Sequence, residues 1–262
     1  VFEVLGETMS PFDLSGRVAI VTGGNGGIGL GMAEGLASAG ATLVLAGRNA
    51  TKGAAAVRQI KGAGGKAEFA DVDVTAEKSC RALIDGVARR HGRLDILVNN
   101  AGTNIRKSPD ALSTAEWHTV LDTNLTSAFI CTHAAYPHMR QAGGGKIINI
   151  GSMMSIFAAA FAPAYAASKG GIVQFSRACA TAWAKDNIQV NAVLPGWIDT
   201  ELTKGARREV AGLHERVLAR TPAGRWGDPK DFSGIAVFLS SAASDFVTGT
   251  AIPVDGGYSV QV

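Results

Sequence analysis

Seven short runs of almost unbroken apolar, β-branched residues recur along this chain, at 18–22, 42–46, 67–70, 96–99, 146–150, 189–194 and 251–254. Continuous apolar runs, as opposed to runs that alternate with polar residues, mark strands covered on both faces. Between them lie longer, Ala-rich segments of helical period, roughly 27–39, 51–63, 76–90, 114–141 and 164–185, with Gly40, Gly62 and Gly143 placed where helices should stop. Alternation of this kind over most of the chain predicts an α/β fold: one doubly wound parallel sheet with helices on both faces.

There is no Pro/Ser-rich linker and no internal repeat, so residues 9–262 are read as a single domain. Residues 1–8 lack the basic start and long apolar stretch of a signal peptide. They are set aside as an N-terminal extension ahead of Met9. Every apolar stretch is interrupted before it reaches membrane-spanning length. With 25 basic against 22 acidic residues the net charge is only +3, and no basic run tracks a phosphate backbone, so nucleic acid is not an expected partner. Cys80, Cys131 and Cys179 are far apart and include no CxxC, the pattern of reduced thiols in a cytoplasmic protein. The five histidines form no grouping with acids that would hold a metal, and none is expected. One stretch breaks the rhythm: residues 196–227 offer a polar, Arg-rich helical piece (201–220) where a strand is due. Directly after a strand whose end should face a ligand, it is read as a substrate lid over about 197–226; a peripheral helical decoration is the plainer alternative.

The first strand runs into a glycine cluster and then a helix, Val18-Ala-Ile-Val-Thr-Gly-Gly-Asn-Gly-Gly-Ile-Gly29. Such a turn lets the backbone approach a pyrophosphate, and the helix N-terminus presents oriented N–H groups to it. At the end of the second strand, where a carboxylate would hold the ribose 2′-hydroxyl of NAD, stand Gly47 and Arg48. A guanidinium there favours the 2′-phosphate of NADP(H), with NAD(H) as the second choice; a solvated loop cation is the alternative. Tyr165 and Lys169 stand four apart on one helix face. A phenol titrates near 10, and bringing it to about 7 requires roughly 4 kcal/mol of preferential stabilisation of the phenolate. The Lys169 ammonium acts in that direction. Ser152 follows the fifth strand at the carboxyl edge of the sheet, where its hydroxyl can donate to a developing alkoxide.

These motifs together resemble the classical short-chain dehydrogenase/reductase family. Thr22-Gly23-x-x-x-Gly27-Ile28-Gly29, Asn99-Asn100-Ala101-Gly102, Tyr165-Ala-Ala-Ser-Lys169, Pro195-Gly196 and the closing Val254-Asp255-Gly256-Gly257 occur in the family's order, from about residue 12 to the C-terminus. The resemblance implies a Rossmann-type seven-stranded parallel sheet and hydride transfer between a nicotinamide cofactor and a secondary alcohol or ketone. It implies that Ser152 polarises the carbonyl, Tyr165 exchanges the proton, and Lys169 also holds the nicotinamide ribose. Asn124, in mid-helix, matches the family's fourth catalytic member, which holds a water behind the lysine; a buried amide satisfying backbone is the alternative. Gly23, Asn25, Gly27, Ile28, Gly29, Arg48, Asp73, Val74, Asn100, Ala101, Gly102, Pro195, Gly196, Ile198 and Thr200 are the expected cofactor contacts. Asp73 reads equally well as a helix cap. Ser155 competes weakly with Ser152, at the wrong distance from Tyr165 for the motif.

Within the family, Thr103-Asn-Ile-Arg106-Lys107, Gly151-Ser-Met-Met-Ser155 and Thr221-Pro-Ala-Gly-Arg-Trp226-Gly227 resemble the enzymes acting on gluconate or deoxy-ketogluconate. On that likeness Arg106 pairs with a substrate carboxylate, with Met153 and Trp197 as apolar walls; a solvated loop is the alternative for Arg106. A hydrophobic or cyclic ketone, or a 3-oxoacyl thioester, is the second substrate reading. A non-catalytic cofactor-binding scaffold is the third, disfavoured by the presence of the Ser, Tyr and Lys together. Relatives pair the helices here read at 114–141 and 164–185 into homotetramers.

Overall fold

The structure, a computed structural model, describes residues 10–261 together with the backbone of Glu3–Val4 and Glu7–Thr8, which pair as a short antiparallel ribbon. The rest of the expected N-terminal extension, and Met9, lie outside the described residues.

Seven strands form the sheet: β1 (Val18–Thr22), β2 (Thr42–Gly47), β3 (Lys66–Asp71), β4 (Ile96–Asn99), β5 (Gly145–Ile150), β6 (Ile188–Pro195) and β7 (Ala251–Val254). Their spatial order is β3-β2-β1-β4-β5-β6-β7 and every neighbouring pair is parallel. This is the doubly wound, Rossmann-type arrangement. The chain winds outward from β1 to β3, then returns to lay β4 on the other side of β1. The carboxyl ends of β1 and β4 therefore diverge at a switch point, where such sheets bind ligands.

Alternate residues of each strand feed two separate cores. On one face Ile20, Val44, Leu97, Ile147 and Val190 pack with Ile84 and Val87 of α3 (Glu77–His91) and with Ala135 and Met139 of α5 (Ser127–Gln141). On the other, Val21, Leu43, Leu45, Val98 and Ile148 pack with Met32 and Leu36 of α1 (Gly27–Ser38). Helices α2 (Ala50–Gly62) and α6 (Pro163–Trp183) complete the layers. All five residues of β1 are buried, as the unbroken apolar run requires.

Three elements differ from the sequence reading. The segment expected as one helix at 114–141 is α4 (Thr114–Leu121), a π-helical turn (Asp122–Thr126) and α5. The Arg-rich piece is two helices, α7 (Glu201–Glu209) and α8 (Leu213–Arg220), separated at Gly212, which adopts a left-handed conformation with φ of 66°. A further helix, α9 (Ser233–Ser240), preceded by a 3₁₀ turn (Pro229–Phe232), was not foreseen. It is short and apolar nearly all round, so it carries no readable period. Phe232, Ala236 and Leu239 bury against α1.

Two polar features hold the site-bearing elements in place. A buried chain of side chains crosses one face: the Asn99 Nδ2 group donates to Thr132 Oγ1 (2.9 Å) and Asn149 Oδ1 (2.8 Å), and Asn149 Nδ2 donates to Ser176 Oγ (2.9 Å). It ties β4 and β5 to α5 and α6. On the opposite face α1 lies so close to the 3₁₀ turn that Ser233 Oγ donates to the Gly31 carbonyl at 2.8 Å. A Cβ on Gly31 would run into the Pro229 carbonyl. Gly31→Ala is therefore expected to lower stability by about 2 kcal/mol through displacement of α1, read as a reduced urea midpoint with an unchanged slope.

Candidate active site

The carboxyl edge begins at Thr22, the last residue of β1. Its hydroxyl accepts the backbone N–H groups of Asn100 (3.0 Å) and Ala101 (3.1 Å), just past β4. In return the Asn100 side-chain amide donates to the carbonyls of Thr22 (3.0 Å) and Gly23 (3.2 Å). Gly23 takes a φ of 64°, and a Cβ there would sit 2.8 Å from the Asn100 amide nitrogen. Gly29 is pressed against the same amide and the Gly23 carbonyl. Glycine is thus required at both places, once for a left-handed turn and once for close approach.

The turn opens onto a cleft lined by Gly23, Asn25, Gly27, Ile28, Asn100, Ala101 and Gly102, continuing past Ser152, Tyr165 and Lys169 to Pro195, Gly196, Ile198 and Thr200. Its other flank holds Arg48, Asp73 and Val74. Of the cofactor contacts expected from sequence, only Gly29 lies beneath the cleft instead of lining it. The donor set fits a dinucleotide phosphate: the first turn of α1 has no acidic residue, and neither Gly47 nor Arg48 at the end of β2 is an acid. The Asp73 carboxylate accepts the backbone N–H (3.0 Å) and hydroxyl (2.8 Å) of Thr75, which hold it below the usual carboxylate range. These bonds close a local turn and do not cap α3, which starts behind Ala76 without a side-chain cap, so the helix-cap alternative does not hold; Asp73 borders the cleft. Lys52 lines both halves of the cleft and was missed. It stands in the first turn of α2 with its backbone N–H capped by Asn49 Oδ1 (2.9 Å), four residues after Arg48.

Deeper in, Ser152 leaves β5 with extended backbone, and its hydroxyl accepts the Met154 N–H (3.1 Å). Ser155 serves a different purpose. Its hydroxyl accepts the Ser152 N–H (3.2 Å) and donates to the Lys169 carbonyl (2.7 Å), fastening this turn to α6. Tyr165 and Lys169 share one face of α6, with the lysine Nζ 5.5 Å from the tyrosine ring centroid. That Nζ donates to the Ile150 carbonyl at 2.7 Å. Lys169 is only 4% exposed, and its burial lowers its pKa to about 8. Burial pushes the Tyr165 phenol up; the Ser152 hydroxyl and the positive charge of Arg106 act in the opposite sense. In the protein alone the forces lowering the phenol thus come from Ser152 and Arg106, whereas the sequence pointed to Lys169.

Asn124 sits in the π turn, 2% exposed. Its amide nitrogen donates to the Thr103 carbonyl and to Ser168 Oγ, both at 3.0 Å, and its oxygen accepts the Thr103 N–H at 2.8 Å. It clamps the loop following Gly102 onto α6 directly behind Tyr165, whose carbonyl accepts from the same Ser168 hydroxyl (2.8 Å). This matches the buried-amide alternative.

Ser152 and Tyr165 also open into a second, smaller cavity bounded by Asn104, Arg106, Met153, Met154, Phe161, Trp197, Leu202 and Thr203. Arg106, Met153 and Trp197, singled out from the sequence, meet there. Arg106 Nη1 is paired with Glu209 Oε2 (3.0 Å), and its Nη2 donates to the Leu202 carbonyl (3.0 Å). Behind Trp197, Trp226 packs edge-on at a centroid distance of 5.6 Å beneath the Arg207 guanidinium. Among the described residues no cluster of three metal-ligating side chains occurs, and no helix is long and apolar enough to cross a membrane.

A dinucleotide cleft at the switch point, ending on a serine, a tyrosine and a buried lysine beside a smaller cavity, defines a nicotinamide-dependent oxidoreductase. A family model described as enoyl-(acyl carrier protein) reductase matches residues 23–259. The chain is 42% identical over 251 residues to 2-dehydro-3-deoxy-D-gluconate 5-dehydrogenase of Escherichia coli (strain K12), covering 95% of this chain and 98% of that one. It is 42% identical over 256 residues to gluconate 5-dehydrogenase of Gluconobacter oxydans (strain 621H), covering 96% and 98%. A crystal structure of a gluconate 5-dehydrogenase from Burkholderia cenocepacia J2315, in complex with NADP and tartrate, superposes with a TM-score of 0.91 at 42% identity, covering 96% and 98%. The chain belongs to the short-chain dehydrogenase/reductase family. It is an NAD(P)-dependent enzyme of CH–OH chemistry.

The buried lysine has a signature of its own. Its pKa in the folded protein lies below the unfolded value, so the folded state pays for the charge at neutral pH and is relieved of it as pH rises from about 8 toward 10.5. Lys169→Met is expected to raise the melting temperature of the cofactor-free protein most at pH 7, with the gain shrinking by pH 10. Melting curves across that range check it; a pH-independent difference would contradict it.

Proposed function

We propose that the protein is an NADP(H)-dependent oxidoreductase interconverting a secondary alcohol and a ketone on a sugar acid, with gluconate- or deoxygluconate-type substrates. The single observation that carries the substrate class is Arg106 in the wall of the cavity that also receives Ser152 and Tyr165. A planar guanidinium there, near the reacting groups but not part of them, suits a carboxylate at the far end of a short polyol. The gluconate-type relatives and the NADP and tartrate in the Burkholderia enzyme support the same reading.

The bound cofactor supplies or accepts the hydride. Its pyrophosphate is assigned to the glycine turn and the N-terminus of α1, and its 2′-phosphate to Arg48 with Lys52 beside it. Ile198 and Thr200 are assigned to the carboxamide end. In ketone reduction the Ser152 hydroxyl donates to the carbonyl oxygen and withdraws charge from the carbon. The Tyr165 hydroxyl delivers the proton to that oxygen; in alcohol oxidation it takes the proton back. Lys169, fixed by the Ile150 carbonyl, holds its positive charge beside the phenol and binds the nicotinamide ribose. Asn124 is assigned to hold the loop after Gly102 against α6, and its π turn to hold a water in the proton path. Residues 197–226 are assigned as a lid, because α7 borders both the cofactor cleft and the substrate cavity. The exposed Phe129 on α5, edge-on to Phe175 of α6, supports pairing of these helices in a homotetramer. The buried free thiols support a cytoplasmic setting.

Met153, Met154, Phe161 and Leu202 give the cavity a largely apolar wall and favour a second reading, reduction of a hydrophobic ketone or 3-oxoacyl thioester. Initial rates with NADPH and NADH on 5-ketogluconate, a cyclic ketone and a 3-oxoacyl thioester separate the two. The expected outcome is turnover of the keto sugar acid with NADPH preferred; turnover of the apolar ketones alone would select the second reading. Tyr165→Phe is expected to reduce turnover by about a thousandfold or more while the dissociation constant for NADPH, followed by fluorescence, stays within a few-fold.

A further inference from the structure

Arg106 lies in the loop after β4, yet both of its described hydrogen bonds go to α7. One reaches the Glu209 carboxylate at 3.0 Å and the other the Leu202 carbonyl at 3.0 Å. Gly205, between them on α7, leaves room for the guanidinium to lie along the helix: a Cβ there would be 3.8 Å from Arg106 Nη1. Among the described residues, these are the only hydrogen bonds that reach α7 from outside residues 197–227. The two partners differ in exposure. The Arg106 side chain is 15% exposed and that of Glu209 is 56% exposed. A largely buried guanidinium needs an anion or acceptor, whereas a half-exposed carboxylate returns to water at little cost.

We infer that Glu209 is a specificity-determining residue: its carboxylate occupies on Arg106 the place that a substrate carboxylate takes. This rests on the assignment of Arg106 as the carboxylate reader. Glu209 neutralises Arg106 when the cavity is empty, and an incoming monoanionic sugar acid exchanges with it. The exchange replaces one carboxylate–guanidinium pair by another, so the charge near Tyr165 changes little on binding. A neutral polyol offers nothing to displace Glu209 and meets an Arg106 already engaged. A substrate with its carboxylate at the wrong distance faces Glu209 as a like charge. Displacement also removes one of the two hydrogen bonds that tie α7 to the rest of the molecule beyond residues 197–227, which couples occupancy of the cavity to loosening of the helix that borders it.

The test is a charge-selectivity ratio, kcat/KM for 5-ketogluconate divided by kcat/KM for a neutral ketohexose. The ratio of inhibition constants of sorbitol and gluconate serves where the neutral ketone reacts too slowly. Glu209→Gln keeps an acceptor for Arg106 and removes the charge. It is expected to raise the ratio by about three- to fivefold, through a lower KM for the anion. In an Arg106→Leu background the same substitution is expected to leave the ratio where it was. An unchanged or lowered ratio, or a gain that persists without Arg106, overturns the inference; the last would mean that Glu209 acts through the helix alone. Arg106→Leu by itself separates the two levels. If it leaves the ratio unchanged, the carboxylate role of Arg106 fails and the inference with it. If it collapses the ratio while Glu209→Gln does not raise it, only the inference fails.

Discussion

The site depends first on the reciprocal bonding of Thr22 and Asn100. β1 and β4 are neighbours in the sheet, but the chain leaves their ends in opposite directions, and the backbone groups there have no ladder partner. The Thr22 hydroxyl takes two N–H groups from the β4 side, and the Asn100 amide reaches two carbonyls on the β1 side. Buried peptide groups left unpaired cost about 1–3 kcal/mol each, so four satisfied at once hold this crossing rigidly. The glycine turn takes its shape over the Asn100 amide, and the loop carrying Arg106 starts from the same residue's far side. Cofactor phosphates and substrate are thereby referenced to one fixed point.

A second constraint follows from the burial of Lys169. Its ammonium is held at the end of β5 by the Ile150 carbonyl and finds no carboxylate partner among the described residues. A lysine in that state has a charge that is costly to keep, with a pKa of about 8, and it is sensitive to whatever enters the cleft. Arg106 adds a second cation on the substrate side of Tyr165, partly neutralised by Glu209. The phenol thus stands between two cations, one fixed in the core and one whose partner can change.

Much of this was legible in the sequence, for identifiable reasons. The five inner strands were readable because they are covered on both faces and so carry unbroken apolar runs; the edge strands β3 and β7 are only partly buried and were placed by the alternation of the chain. Ser152, Tyr165 and Lys169 were readable because a motif spacing and a helical repeat place them. Residues whose meaning lies in where a side chain turns were less so. Asn100 could equally have faced the cleft, and only the fold shows its amide turned back under the glycine turn. Asn124 signalled a local irregularity, and the structure makes it a π turn whose amide clamps Thr103. Lys52 is an ordinary lysine in an ordinary first turn until α2 brings it beside Arg48. α9 left no periodic trace, since its surroundings, not its own pattern, determine which sides are buried. The burial that raises the Tyr165 phenol, and the Ile150 carbonyl that holds Lys169, belong to the tertiary packing and leave no mark in the motif spacing.

The contact between α1 and the turn at Pro229 has a consequence for how the protein is made. The helix that ends the glycine turn leaves the ribosome about two hundred residues ahead of the surface it rests on, which comes from residues 229–239. Until that segment emerges, Met32 and Leu36 have only one side of their packing, and the helix behind the phosphate-binding turn rests on the sheet alone. Nucleotide therefore finds its complete cradle only after residues 229–239 have emerged, which separates the making of the phosphate-binding turn from its completion as a binding site.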